Sequence, residues 1–164
     1  METANTELPD LLKLDNQLCF SIYAASRAIT RAYRPLLEPF GLTYPQYLVM
    51  LILWEREGLS VNEIGQRMYL DSGTLTPLLK RMEQGGFIER QRSQTDERRV
   101  EIRLGPKGLS LRADALSIPE NLIEQGHLDL DEVRRTKVMV DQVLAKMLDC
   151  GCSDGVDLAA EGEL

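Results

Sequence analysis

The sequence predicts a mainly α-helical fold carrying one small β-hairpin, and three observations lead there. Apolar residues recur at threes and fours along most of the 164 positions, helix-capping signals open several of those stretches, and residue-by-residue alternation appears only at 87–92 and 100–104. With 43% hydrophobic and 27% charged residues, the chain can bury a core and is too apolar to be disordered throughout.

From 11 to 40, Leu11, Leu14, Leu18, Ile22, Ala25, Ile29, Tyr33 and Leu36 predict one long amphipathic helix that ends at Gly41. Pro35 and Pro39 lack the N–H of a helical bond and should bend or fray its last turns. Thr43 or Tyr44 caps a second helix, with Pro45 near its first position, running to about Glu57 before Gly58. Its apolar run, 48–54, is seven residues long, against the roughly 20 that cross a bilayer, so the run implies burial and no membrane partner. Ser60 and Glu63 fit a capping box that opens a short helix to about Met68. Asp71 caps the next helix, which places Leu75, Leu78, Leu79 and Met82 on one face and stops at Gly85 and Gly86. Pro77 falls inside it, where Gly73, four residues earlier, eases the conflict between ring and carbonyl. The alternating segments then form a hairpin with a charged tip at 93–99. Pro106 and Gly108 precede a helix to about Gln125 that Pro119 interrupts, and His127 is a helix-terminus residue. Asp129 caps a last helix with Val133, Val140, Val143, Leu144 and Met147 apolar.

Helix, short helix, capped helix and hairpin follow one another in the order of a winged helix-turn-helix. The sequence therefore divides into a winged domain at 43–104, a helical dimerisation region formed by 11–42 and 105–149, and flexible termini at 1–10 and 150–164. A homodimer is implied, because one small winged domain cannot cover the apolar faces of long helices at both ends of the chain. In this architecture the second helix enters a major groove of double-stranded DNA by its N-terminal residues. Ser72, Thr74 and Thr76 supply hydroxyls there, Lys80 and Arg81 supply charge further along, and Arg98 and Arg99 stand at the wing tip.

Net charge argues the other way until it is segmented. The chain carries 19 basic and 26 acidic residues, a formal −7, which alone disfavours a polyanion. Residues 60–108 hold nine basic against seven acidic side chains, whereas 109–164 hold five against twelve. The basic residues gather on the predicted helix and wing.

Three cysteines, Cys19, Cys150 and Cys152, are no disulfide framework, and the start of the chain has no secretory pattern, so a cytoplasmic location is expected. No metal or cofactor is expected, since His127 and remote acids are the only further ligands available to the paired cysteines. Tyr23, four residues after Cys19, shares its helix face. Tyr33, fourteen residues on, is about 21 Å away along a helix and cannot reach the same chain's sulfur.

The stretches Leu14-Asp-Asn-Gln-Leu-Cys-Phe20, Tyr33-Arg-Pro-Leu-Leu-Glu-Pro39, Leu42-Thr-Tyr-Pro-Gln-Tyr-Leu-Val-Met50, Leu70-Asp-Ser-Gly-Thr-Leu-Thr-Pro-Leu-Leu79 and Asp96-Glu-Arg98 closely resemble the MarR family of bacterial transcription regulators. Within it they resemble the OhrR group, which senses organic hydroperoxides. That resemblance implies a dimeric repressor on a pseudo-palindromic operator, an N-terminal cysteine that reacts with an organic hydroperoxide, and release of the operator on oxidation. It makes Cys19 the redox sensor and gives Tyr33 and Tyr44, with Tyr23, the task of hydrogen-bonding its thiolate, the first two from the other subunit. Phe20, Phe40 and Trp54 could line the site, with core packing the commoner duty of such residues. In the two-cysteine branch a resolving cysteine precedes the final helix, and 119–127 holds none. Either a small external thiol resolves Cys19, or Cys150 or Cys152 does. Three other readings stand beside this one: a family member released by a small phenolic ligand, a thiol peroxidase using Cys19, and a winged-helix adapter that binds no DNA.

Overall fold

The computed structural model describes residues 10–92 and 99–150. Its elements are α1 (Leu18–Leu37), α2 (Tyr44–Glu55), β1 (Leu59–Ser60), α3 (Val61–Met68), α4 (Ser72–Gln84), β2 (Ile88–Arg92), β3 (Val100–Leu104), α5 (Pro106–Asp114), α6 (Ser117–Gln125) and α7 (Leu130–Asp149). The fold is mainly helical with a small antiparallel sheet, as the sequence predicts.

Differences of detail have local causes. The predicted helix over 11–40 begins only at Leu18, preceded by 3-10 turns at Asp10–Leu12 and Leu14–Asn16. There the Asn16 amide donates to the Asp10 carbonyl at 3.0 Å and the Gln17 amide to the Leu11 carbonyl, so side chains take backbone partners that a helix would need. At the other end Pro39 turns the chain into a 3-10 segment, Glu38–Phe40, closed by Gly41 at φ +68°. The helix predicted from 106 to 125 is two helices, α5 and α6, and Pro106 and Gly108 lie within the first. Pro119 has no N–H and its ring would meet the carbonyl of Ala115, and the break falls at 115–116.

The predicted hairpin is present, its strands paired from Ile88↔Leu104 to Arg92↔Val100. Its tip, including Asp96, Glu97 and Arg98, lies outside the described residues. A third strand, β1, pairs with β3 through Leu59↔Ile102 and Ser60↔Glu101, making the order β1-β3-β2. Two residues are too short to alternate visibly, and the strand exists because β3 offers it an edge.

The core is continuous. Val49, Met50, Leu53, Ile64, Leu75, Leu79, Met82, Ile88 and Ile102 are fully buried, which fixes α2, α3, α4 and the sheet as one unit. Among the described residues none before Leu37 and none after Ile118 is buried. Helices α1 and α7 instead leave apolar side chains in the open, among them Leu18, Ile29, Met139 and Leu144, and α7 buries nothing. No single helix among the described residues is long and apolar enough to cross a membrane.

Candidate nucleic-acid interface and cysteine site

Helices α3 and α4 meet through a tight turn that sets how α4 projects. Gly65 of α3 packs so closely on the turn that an added Cβ would lie 2.7 Å from the Leu70 carbonyl oxygen. Tyr69 turns the chain in the left-handed region, φ 56°, and its ring is about half exposed. Asp71 then caps α4, its carboxylate accepting from the Thr74 N–H at 2.9 Å and from the Thr74 hydroxyl at 2.8 Å. Those two bonds, the hydroxyl's first, hold the Asp71 carboxyl below its ordinary range.

Ser72, Thr76 and Lys80 are exposed and spaced by four, so they form one row on the solvent side of α4, beside the face that carries its buried leucines, with exposed Arg81 at the flank. Thr74 is half-buried and its hydroxyl is engaged in the cap. Arg99, expected at the wing tip beside Arg98, reaches back instead to the Glu63 carboxylate at 2.5 Å. Glu63 also accepts from the Ser60 N–H and hydroxyl, each at 2.7 Å, completing the expected capping box. These bonds, the Ser60 N–H first, keep its carboxyl below the usual carboxylate range.

Cys19 sits exposed in the first turn of α1. Tyr23 follows one turn later, with the Arg27 guanidinium 5.6 Å from its ring centre. Tyr33 lies on the same unbroken helix fourteen residues from Cys19, about 21 Å of axial rise. There its ring packs against Tyr44, centroids 4.8 Å apart, and Tyr47 at 5.7 Å. Burial foremost, then the neighbouring phenols, pushes the Tyr33 hydroxyl up to about 12. Tyr44 and Tyr47 are also raised by burial, so all three stay protonated donors at neutral pH. Within one chain, then, the structure brings Tyr33 and Tyr44 together and keeps them apart from Cys19.

Tyr47 is the member of this cluster that sequence reasoning missed. Its position three residues after Tyr44 on one helix was the available signal. Trp54 is half-buried against Tyr47 and donates its indole N–H to the Gly108 carbonyl at 3.0 Å, which makes it a packing residue. Phe40 also packs on the core, whereas Phe20 is exposed and does not. Cys150 is exposed at the end of α7, and Cys152 lies outside the described residues.

The chain matches the MarR family over residues 42–100. It is 49% identical over 128 residues to the organic hydroperoxide resistance transcriptional regulator of Bacillus subtilis, covering 78% of this chain and 87% of that one. It is 53% identical over 131 residues to the HTH-type transcriptional regulator TtmR of Methylorubrum extorquens, covering 80% and 67%. Among solved structures it resembles reduced AbfR bound to DNA, a protein of Staphylococcus epidermidis, at 37% identity and TM-score 0.72 over 85% of this chain and 97% of that one. The same protein with a disulfide formed superposes less closely, at TM-score 0.59 and 36% identity over 86% and 94%.

Proposed function

Because this chain belongs to the MarR family of transcription regulators, we propose that it is a dimeric DNA-binding repressor whose operator affinity is set by oxidation of Cys19. The observation that carries this reading is the placement of Cys19: a free thiol on the uncovered face of α1, far along that helix from a cluster of three protonated phenols. A second copy packed antiparallel along α1 brings the partner's end of that helix, with its phenols, to each sulfur. Phenol donors stabilise a thiolate and raise the reactive fraction at neutral pH.

The thiolate attacks one oxygen of an organic hydroperoxide. An S–O bond forms as the O–O bond breaks, the sulfur is oxidised by two electrons to a sulfenic acid, and the alkoxide takes a proton and leaves as alcohol. A thiol, whether a small external one or that of Cys150 or Cys152, then displaces water from the sulfenic acid to give a disulfide. The phenols lose their anionic acceptor, and the two winged lobes no longer hold the spacing of successive major grooves. On each lobe Ser72, Thr76, Lys80 and Arg81, with Thr74 at the cap, face the groove, and Arg98 serves the wing.

The test is a titration of a duplex recovered by the reduced protein from a random-sequence pool, before and after an organic hydroperoxide. Wild type should lose affinity on treatment and Cys19→Ser should not. Release of DNA by peroxide from the serine variant would sink the redox reading, and release by a phenolic compound in both proteins would favour ligand control instead.

A further inference from the structure

Arg99 follows the hairpin tip and directly precedes β3, so a phosphate contact is the obvious role for it in a winged DNA-binding protein. Its guanidinium is already committed. It lies 2.5 Å from a Glu63 oxygen that also receives two hydrogen bonds from Ser60, and Glu63 belongs to the first helix of the helix-turn-helix, 36 positions away in the chain. Ser60 in turn pairs with Glu101 of β3 in the sheet. The start of α3, strand β1 and the base of the wing therefore converge on one carboxylate.

A phosphate oxygen approaching Arg99 would meet the Glu63 anion beside it, and Glu63 is held ionised by its Ser60 bonds. Like charges at that range repel, whereas the existing pair is already satisfied. We propose that Arg99 is a brace and not a DNA ligand: through Glu63 it fixes the base of the wing, at the start of β3, against α3. This rests on the DNA-binding reading for its consequence, but the brace itself is a property of the free protein.

The two roles predict opposite signs for one substitution. Glu63→Gln keeps a side-chain oxygen for the capping box, since Gln also serves at that position, and removes only the charge that holds Arg99. If Arg99 bound phosphate, freeing it and deleting a nearby anion would tighten DNA binding. If Arg99 is a brace, Glu63→Gln and Arg99→Gln should each weaken binding to the selected duplex by about fivefold, the size expected of an ion pair at this exposure. The double variant should be no worse than either single one. The salt dependence gives a second reading: a lost phosphate contact lowers the slope of log affinity against log salt by about one, a lost brace leaves it unchanged.

Amide hydrogen exchange in β2 and β3 without DNA completes the experiment. Both single variants should exchange faster there, and the double variant no faster. Tighter binding by Glu63→Gln, a slope reduced by one in Arg99→Gln, or unchanged exchange in both single variants would overturn the proposal. If wild type selects no DNA at all, the DNA-binding reading fails while the exchange measurement still decides the brace.

Discussion

Tyr33 is placed where an ionised phenol is poorly tolerated, half-buried with two other phenols against its ring. The consequence is a pH dependence with a definite sign. The folded hydroxyl titrates at about 12 and an unfolded tyrosine near 10, so between those values the folded state keeps a proton that the unfolded state has lost. The contribution is complete below about pH 10 and is lost as pH rises through the folded value. Denaturant unfolding from pH 9 to 12 should show stability declining over the upper part of that range. The decline should be shallower in Tyr33→Phe, in which tyrosinate absorbance also loses its highest-pH component. Side-chain chemistry of this kind was only partly readable beforehand. Helix period placed Tyr23 beside Cys19 and showed that Tyr33 could not be there. It did not reveal the packing of Tyr33 on Tyr47, which depends on the angle between α1 and α2, nor the commitment of Arg99 to Glu63, a pairing across 36 positions.

Elements that declare themselves through one clear local signal matched expectation, and those that depend on distant partners or on competing hydrogen bonds did not. The Ser60–Glu63 and Asp71 caps, the stop at Gly85 and Gly86, and the start of the last helix at Asp129 are each encoded within a few residues. Strand β1 and the late start of α1 are not, because one needs β3 and the other a competition between side-chain and backbone hydrogen bonds. The turn between α3 and α4 shows how much one element depends on single positions. A Cβ at Gly65 would lie 2.7 Å from a backbone oxygen that cannot move without displacing Asp71 and the start of α4. Gly65→Ala should therefore destabilise the fold by about 2 kcal/mol in chemical unfolding, within the range for forced strain at a packed site. Tyr69 makes the complementary case, since a left-handed backbone costs a bulky residue about 1 kcal/mol that glycine avoids. Tyr69→Gly should raise the unfolding midpoint slightly, part of the gain being offset by the greater entropy of unfolded glycine. A fall in stability would mean that the half-exposed ring makes contacts worth more than the strain.

At the scale of the whole molecule the chain is unbalanced in two ways, and both point to association. Its acidic excess lies after residue 108 in the sequence, whereas the exposed row on α4 belongs to the stretch 60–108, where basic side chains outnumber acidic ones. Its uncovered apolar surface lies on α1 and α7, with Leu18 59%, Ile29 48% and Met139 66% exposed in the single chain. A 20-residue helix that buries none of its side chains contributes little to the stability of one subunit, yet α7 repeats Val133, Val140 and Met147 at sevens with Leu144 between them. That stripe suits a helix of a second copy, and in a two-fold dimer every substitution on it acts twice. Leu144→Glu should weaken dimerisation by about a hundredfold or more, from about 1.5 kcal/mol per buried leucine lost in each of two subunits. Arg135→Glu on the far side of the same helix should leave dimerisation unchanged. Sedimentation over a range of concentrations reads the association, and a thermal midpoint that rises with wild-type concentration and ceases to do so in Leu144→Glu reads its link to folding. If the leucine variant sediments as wild type, α7 does not carry the interface, and the partner for the phenols of Tyr33 and Tyr44 must be sought on another face.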